Sequence, residues 1–216
     1  MDILTRLDAA RAATNVLEHP FYRRWSAGAL SREELGLYAG QYRRAVIALA
    51  DASDAAAREA CESAPGSATG LARHAREERD HVALWDAFAD ACGIESGVEA
   101  LTGTEECAES WTQAGDLLER LAVLYAIEAS QPAISATKLE GLRKHYDQVE
   151  EGPATEYFSL HAELDVEHAA AAGALIEELM TAVPDAGVQA DRMVARAERA
   201  LRGNWRLLDD VEAAAA

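Results

Sequence analysis

Residues 152–180 read Gly-Pro-Ala-Thr155-Glu-Tyr-Phe-Ser-Leu-His161-Ala-Glu-Leu-Asp165-Val-Glu-His168-Ala-Ala-Ala-Ala-Gly-Ala-Leu-Ile-Glu-Glu-Leu-Met180. Gly152-Pro153 is a stop-start pair, with proline at a first helical position where its missing N–H costs nothing. From Thr155 to Met180 the run predicts one helix, ended by Pro184. Offsets of four and seven return to one helical face, so His161, Asp165 and His168 stack along a single stripe. That stripe continues into Phe158 and Ala172, which turns it toward a core.

The same pattern occurs once more. His74-Ala-Arg-Glu-Glu78-Arg-Asp-His81 repeats His-x3-acid-x2-His and runs on into Trp85 and Phe88. Each set contains the acid-x-x-His spacing by which helical bundles hold two metal ions. A single triplet reads more readily as a solvated charge face; two, each leading into apolar residues, point to metal ligands. Glu128 adds a third piece. It shares a stripe with Leu117, Leu121 and Leu124, so it is expected to be buried, and a buried carboxylate must be paired or metal-bound. The alternative partner is Arg43 or Arg44. The candidate ligands are therefore His74, Glu78, His81, Glu128, His161, Asp165 and His168, with Glu77 competing with Glu78. Mixed imidazole and carboxylate donors suit iron or manganese better than structural zinc. His19 and His145 read as helix-end residues, and Asp51 and Asp54 as a wet face of the long helix before them.

The rest of the chain is helical too. Residues 2–18 carry Ile3, Leu7, Ala10 and Val16 at helical spacing, and a short turn of helix holds Phe21, Tyr22 and Trp25 as far as Gly28. Ser31-Arg32-Glu33-Glu34 is a capping box opening a helix to about Ser63. Pro65-Gly66-Ser67 is expected to break it before a helix from Thr69 to Cys92. Residues 94–104 read as a surface connection, Thr104 as the start of a helix reaching Trp111, and Asp116 as the cap of a helix over 117–130. Pro132 should kink or restart that helix, and Gly141 should weaken its continuation. The last helix covers 185–211, leaving Ala213–Ala216 as a frayed tail. The prediction is an all-α single domain over residues 1–216, with about seven helices.

Composition agrees and excludes other classes. The 216 residues include 48 alanines but only 14 glycines and 5 prolines, a helix-forming balance with few turns. A net charge of −18 argues against nucleic-acid or anionic-membrane partners. No run of about 18 apolar residues exists to span a bilayer, and no signal core follows Met1. Three widely spaced cysteines, Cys61, Cys92 and Cys107, read as reduced thiols, which suggests the cytoplasm. Lysine is scarce: Lys138 and Lys144 stand against 18 arginines. Only a lysine amine can lose its proton and react, although from composition alone a chance surface position is the better explanation of Lys138.

Several stretches resemble a known superfamily. His19-Pro20-Phe21-Tyr22-Arg23-Arg24-Trp25, then Gly28-x-Leu30-Ser31-x-Glu33-Glu34-Leu35 and Tyr38-Ala39-Gly40-Gln41-Tyr42 resemble the opening of the TenA/PqqC superfamily. Leu124-Tyr125-Ala126-Ile127-Glu128-Ala129 resembles its central helix and Trp205-x-x-Leu208-Asp209 its end. The resemblance implies a heme-oxygenase-like helical fold, often dimeric, so a homodimer is expected. His161, Asp165 and His168 with Glu128 and His81 resemble its dinuclear-iron oxidase branch, and within that the family of the chlamydial death-domain-associating protein. That similarity implies two metal ions, Fe/Fe or Mn/Fe, with dioxygen and an external reductant. It also implies 4-aminobenzoate formed for folate synthesis from the chain's own tyrosine, rather than from a small-molecule substrate. Tyr22 is then the tyrosine consumed, Tyr38 and Tyr157 radical relays, and Lys138 the amino donor. The family has a Glu two turns before the ligand histidine, where this chain has His74. Two rivals are a metal-free thiamin-pyrimidine hydrolase, for which residues 117–145 lack the required Cys, and a ferritin-like iron store or helical interaction module.

Overall fold

A single residue, Ala64, separates two long antiparallel rods of the core, α3 (Arg32–Ser63) and α4 (Pro65–Ala91), in a computed structural model that describes residues 2–94 and 98–215. Pro65 does not hold the chain open as far as Thr69. It occupies the first turn of α4, where a proline fits without loss of a hydrogen bond. The expected break thus shrinks to one residue, and the helices pack along their lengths.

Around this pair stand α1 (Ile3–Ala13), α2 (Pro20–Ser26), α5 (Thr102–Thr112), α6 (Leu117–Glu128), α7 (Gln131–His145), α8 (Pro153–Met180) and α9 (Ala186–Ala215). Among the described residues there are nine α-helices and no strand. The count exceeds seven because the turn after His19 and the segment after Ser130 are helices of their own, each with a proline in its first turn. The first helix stops at Ala13 rather than 18. Asn15 accepts a bond from the Leu17 amide and diverts residues 16–18 into a 3₁₀ turn. The tail is not frayed as far as it is described, since α9 runs to Ala215. Within the 94–104 connection, residues 95–97 lie outside the described residues, and α5 begins two residues before Thr104. None of the described helices is long and apolar enough to cross a membrane.

Caps follow the sequence signals. Ser31 and Glu34 exchange side chain–backbone bonds in the predicted capping box, and Asp116 accepts from the Glu119 amide at 2.9 Å. Inside, three buried tryptophans each donate their ring N–H to a backbone carbonyl of another helix: Trp25 to Lys138, Trp85 to Ala39 and Trp111 to Ala200. Burial of these large rings without orphaning their donors ties α2 to α7, α4 to α3 and α5 to α9. Helix α8, which carries His161, Asp165 and His168, packs on α4, α6 and α7.

Candidate metal centre

Helices α4, α6 and α8 aim seven ionisable side chains at one another in the interior. The register of α4 places His74, Glu78 and His81 on one stripe, α8 presents His161, Asp165 and His168, and α6 contributes Glu128 from its last residue. Glu78, His81, Glu128, His161 and Asp165 are buried. Glu78 Oε1 lies 3.2 Å from His81 Nδ1, 3.7 Å from His74 Nε2 and 3.9 Å from His168 Nδ1. Glu128 Oε1 is 3.1 Å from His74 Nε2, and Asp165 Oδ1 is 3.5 Å from His168 Nδ1. Two sets of donor atoms result, His74/Glu78/His168 and Glu78/His81/His161, each with its atoms within 4.8 Å of one another. Glu78 belongs to both.

The alternatives left open by the sequence have definite places. Arg43 pairs with Asp86, and Arg44 donates to the Val98 carbonyl, so Glu128 is left facing His74. Glu77 points outward from Glu78 and lies 3.3 Å from His168 Nε2, on the ring edge away from Glu78. His19 caps α2 and lies 3.1 Å from Asp209, and His145 closes α7. Asp51 and Asp54 both accept from Arg79 near the surface.

Every one of the seven residues keeps at least one buried polar atom without a hydrogen-bond partner, ten atoms in all. So many orphaned donors and acceptors would be costly if nothing filled the space between them. Their chemistry fits iron or manganese: imidazole nitrogen and carboxylate oxygen, with no thiolate in reach. Proton affinities tell the same story. Burial resists ionisation of Glu78, yet His74 and His81 hold its carboxyl well below the usual range. Burial likewise opposes a charge on His74, but Glu128 and Glu78 override it and raise it to about 11. Burial, helped by the neighbouring Glu128 and Glu78 charges, pushes Asp165 up to about 7. Burial and His81 bring His161 down to about 4. His161 Nδ1 donates to the Tyr157 carbonyl at 2.7 Å, which leaves Nε2 with a free lone pair directed inward.

Beyond His81 and His161 lies an aromatic cage. Lys138 is fully buried, and its Nζ has no hydrogen-bond partner. Five ring centroids surround it: Tyr42 at 4.6 Å, Tyr38 and Trp85 at 5.3 Å, Phe158 at 5.4 Å and Tyr22 at 5.7 Å. Burial alone brings the amine down to about 7. Tyr22 and Tyr38 share a hydroxyl–hydroxyl contact at 3.2 Å, and burial holds the phenols of Tyr22, Tyr38 and Tyr157 well above their ordinary range. Tyr42 and Trp85 belong to this cage, and Gln131 donates to the Tyr42 hydroxyl at 3.3 Å, but all three read in the sequence as ordinary helix residues. The signal that could have found them is the α7 stripe Gln131, Ser135, Lys138, all buried polar and each with an unpartnered atom.

An all-helical bundle that gathers four imidazoles and three carboxylates in its interior defines a metal-dependent protein of the non-heme kind. The chain belongs to the family described as iron-containing redox enzyme, whose sequence model matches residues 72–205, a span containing all seven residues. Among curated relatives, the 4-aminobenzoate synthase of Nitrosomonas europaea is 28% identical over 230 residues, covering 95% of this chain and 89% of that one. The 4-aminobenzoate synthase of Chlamydia muridarum is 30% identical over 204 residues, covering 90% and 86%. In structure, a TenA homologue from Pseudomonas syringae superposes with a TM-score of 0.79 at 16% identity, covering 98% and 91% of the two chains. A heme oxygenase-like domain from Shewanella denitrificans gives 0.74 at 19%, covering 98% and 89%. The expected fold class is thus the observed one.

Proposed function

We propose that this chain is an oxygen-activating oxidase with a dinuclear Fe/Fe or Mn/Fe centre, which forms 4-aminobenzoate from its own Tyr22 with Lys138 as the amino donor. The observation that carries this reading is the Lys138 amine, buried without a partner and within 6 Å of the Tyr22 and Tyr38 rings. The same activity names the curated relatives across nearly their whole length.

When bound, the two metal ions supply the activation of dioxygen, using electrons from an external reductant. His74, Glu78, His81, Glu128, His161, Asp165 and His168 hold them. The remaining residues handle the organic half of the reaction. Tyr22 supplies the aromatic ring and its benzylic carbon, which becomes the carboxylate once the bond from Cα to Cβ is cut. Lys138 supplies the nitrogen that takes the place of the phenol oxygen; that oxygen leaves as water, and the Lys138 Cε–Nζ bond is cut with its carbon oxidised at the expense of dioxygen. Burial brings the Lys138 amine down to about 7, so a large share of it carries a free lone pair at neutral pH without a base beside it. The dry aromatic walls exclude water from an oxidised tyrosine. Tyr38 lies hydroxyl to hydroxyl against Tyr22, Tyr157 stacks on His161, and both rings pack edge-on against Trp85, a path that supports a relay between the metal residues and Tyr22.

The test is intact mass before and after iron, reductant and oxygen are supplied. The expected result is loss of the Tyr22 side chain, located by peptide mapping, with 4-aminobenzoate in solution. An unchanged mass during turnover of an added small molecule overturns self-consumption and leaves an oxidase. The metal-free hydrolase has no support here, because residues 117–145 hold no cysteine and Cys107 is buried within α5.

A further inference from the structure

The metal residues are not equally shielded. Glu78, Glu128, His161 and Asp165 are sealed off, whereas the His74 and His168 side chains each keep 13% of their surface exposed. These two rings lie 4.3 Å apart and form the floor of a cleft of about 360 Å³. Its walls come from the start of α4, the middle of α6 and the second half of α8, and are largely apolar: Leu71, Leu121, Leu124, Ala172 and Leu175. Arg73, Glu77 and Glu178 stand among its lining residues; Arg73 lies 3.8 Å from Glu77, so among the described residues the cleft carries no free cation to hold an anionic substrate.

Position along the helices shows what the cleft faces. On α4 the order is cleft at 66–77, metal residues at 74–81, then Trp85 of the Lys138 cage. On α8 the order reverses: cage at Tyr157 and Phe158, metal residues at 161–168, cleft at 171–178. The metal residues therefore sit between a closed end that holds the tyrosines and lysine and an open end with apolar walls. Tyr22, Tyr38, Lys138, Tyr157 and Phe158 are all buried, whereas the other end opens on solvent through the cleft.

We propose that this cleft is the port by which dioxygen reaches the metal centre, at the His74–His168 face. The inference rests on the oxidase reading above. Dioxygen is small, neutral and apolar, and must come from solvent. An apolar passage that ends on two partly exposed imidazoles admits it while the organic chemistry stays dry at the far end.

Gly70 provides the test. A Cβ built there meets no heavy atom within 4 Å, so a large side chain can be added without collision, and replacing a helical glycine favours the helix. Gly70→Phe plugs the cleft from α4, and Ala171→Phe does so from α8. Metal-free crystals under xenon pressure should show xenon in the wild-type cleft and none there in Gly70→Phe, as apolar cavities take up that gas. In iron-loaded protein, oxidation of ferrous iron on mixing with dioxygen should slow tenfold or more in both variants, with iron content unchanged. Absence of xenon from the wild-type cleft, or oxidation at the wild-type rate in both variants, overturns the port. Mass analysis is read separately. If the plugged variants slow oxidation but the wild type never loses Tyr22 mass, the port stands and self-consumption falls.

Discussion

The Tyr157 ring lies nearly parallel to the His161 imidazole, with centroids 3.9 Å apart and an interplanar angle of 25°, while the imidazole Nδ1–H donates to the Tyr157 carbonyl at 2.7 Å. One turn of α8 thereby orients His161 Nε2 toward Glu78 and His81 and places a buried phenol directly against the ring. Tyr157→Phe keeps the ring and the stack and removes only the hydroxyl. Iron content should stay at the wild-type level, while 4-aminobenzoate formation should fall tenfold or more. Metal analysis beside product quantification checks this, and undiminished product removes Tyr157 from the relay.

Lys138 should trade stability for reactivity. An amine that titrates near 10.5 when unfolded and at about 7 when folded costs about 3–5 kcal/mol at neutral pH. Between those two values the unfolded chain holds a proton that the folded one lacks, so this group makes stability rise with pH from 7 to 10.5. Lys138→Met should raise the urea midpoint at pH 7, lose that advantage progressively toward pH 10.5, and yield no 4-aminobenzoate. A destabilised Lys138→Met at pH 7 would show that the cage holds a charged amine.

Glu78 and Glu77 are neighbours in sequence with unlike tasks. Glu78 is within reach of both donor sets, so Glu78→Ala should lose nearly all bound iron. Glu77 lies outside both donor sets, between the outer edge of His168 and Arg73, where it can orient the imidazole. Its replacement by Ala should weaken metal binding by roughly 10–100-fold without abolishing it. Anaerobic iron titration of both variants distinguishes them, and equal losses would contradict the assignment.

Metal should also stabilise the fold. Ferrous iron at 100 times its dissociation constant contributes about 2.7 kcal/mol, roughly a 5–10 °C rise in Tm for a chain of this size. A chelator should reverse it. Since His74 holds a proton up to about 11, loading at neutral pH must expel that proton. The Tm gain should accordingly shrink as pH falls and protons compete for the same atoms. A gain independent of pH would mean that His74 is not among the ligands.

Gly141 is packed rather than weak. A Cβ there would lie 2.5 Å from the Trp25 ring, whose N–H donates to the Lys138 carbonyl. Gly141→Ala should lose roughly 1–2 kcal/mol, the overpacking cost exceeding the gain in helix propensity. It should also impair product formation by shifting α7. An unchanged urea midpoint would refute this.

Helix periodicity was enough to place His161, Asp165 and His168 on one face, and His74, Glu78 and His81 on another, because offsets of four and seven are a local property of the chain. Capping at Ser31 and Asp116 was legible for the same reason: the partner is three residues away. The break at Pro65 was misjudged because proline ends a helix or begins one according to its neighbours, and here it begins α4. Tyr42 and Gln131 escaped notice because an aromatic or an amide on a helix carries no mark of the amine it will face.

What the amino-acid order determined by itself, then, was the set of helices and the stripes of donors they carry. Only tertiary structure decided that α4, α6 and α8 turn those stripes toward each other, that Glu78 faces inward and Glu77 outward, and that Lys138 of α7 ends among rings from α2, α3, α4 and α8. The reason is desolvation. A side chain's proton affinity and its want of a partner depend on what excludes water from it, and those neighbours come from helices far away along the chain.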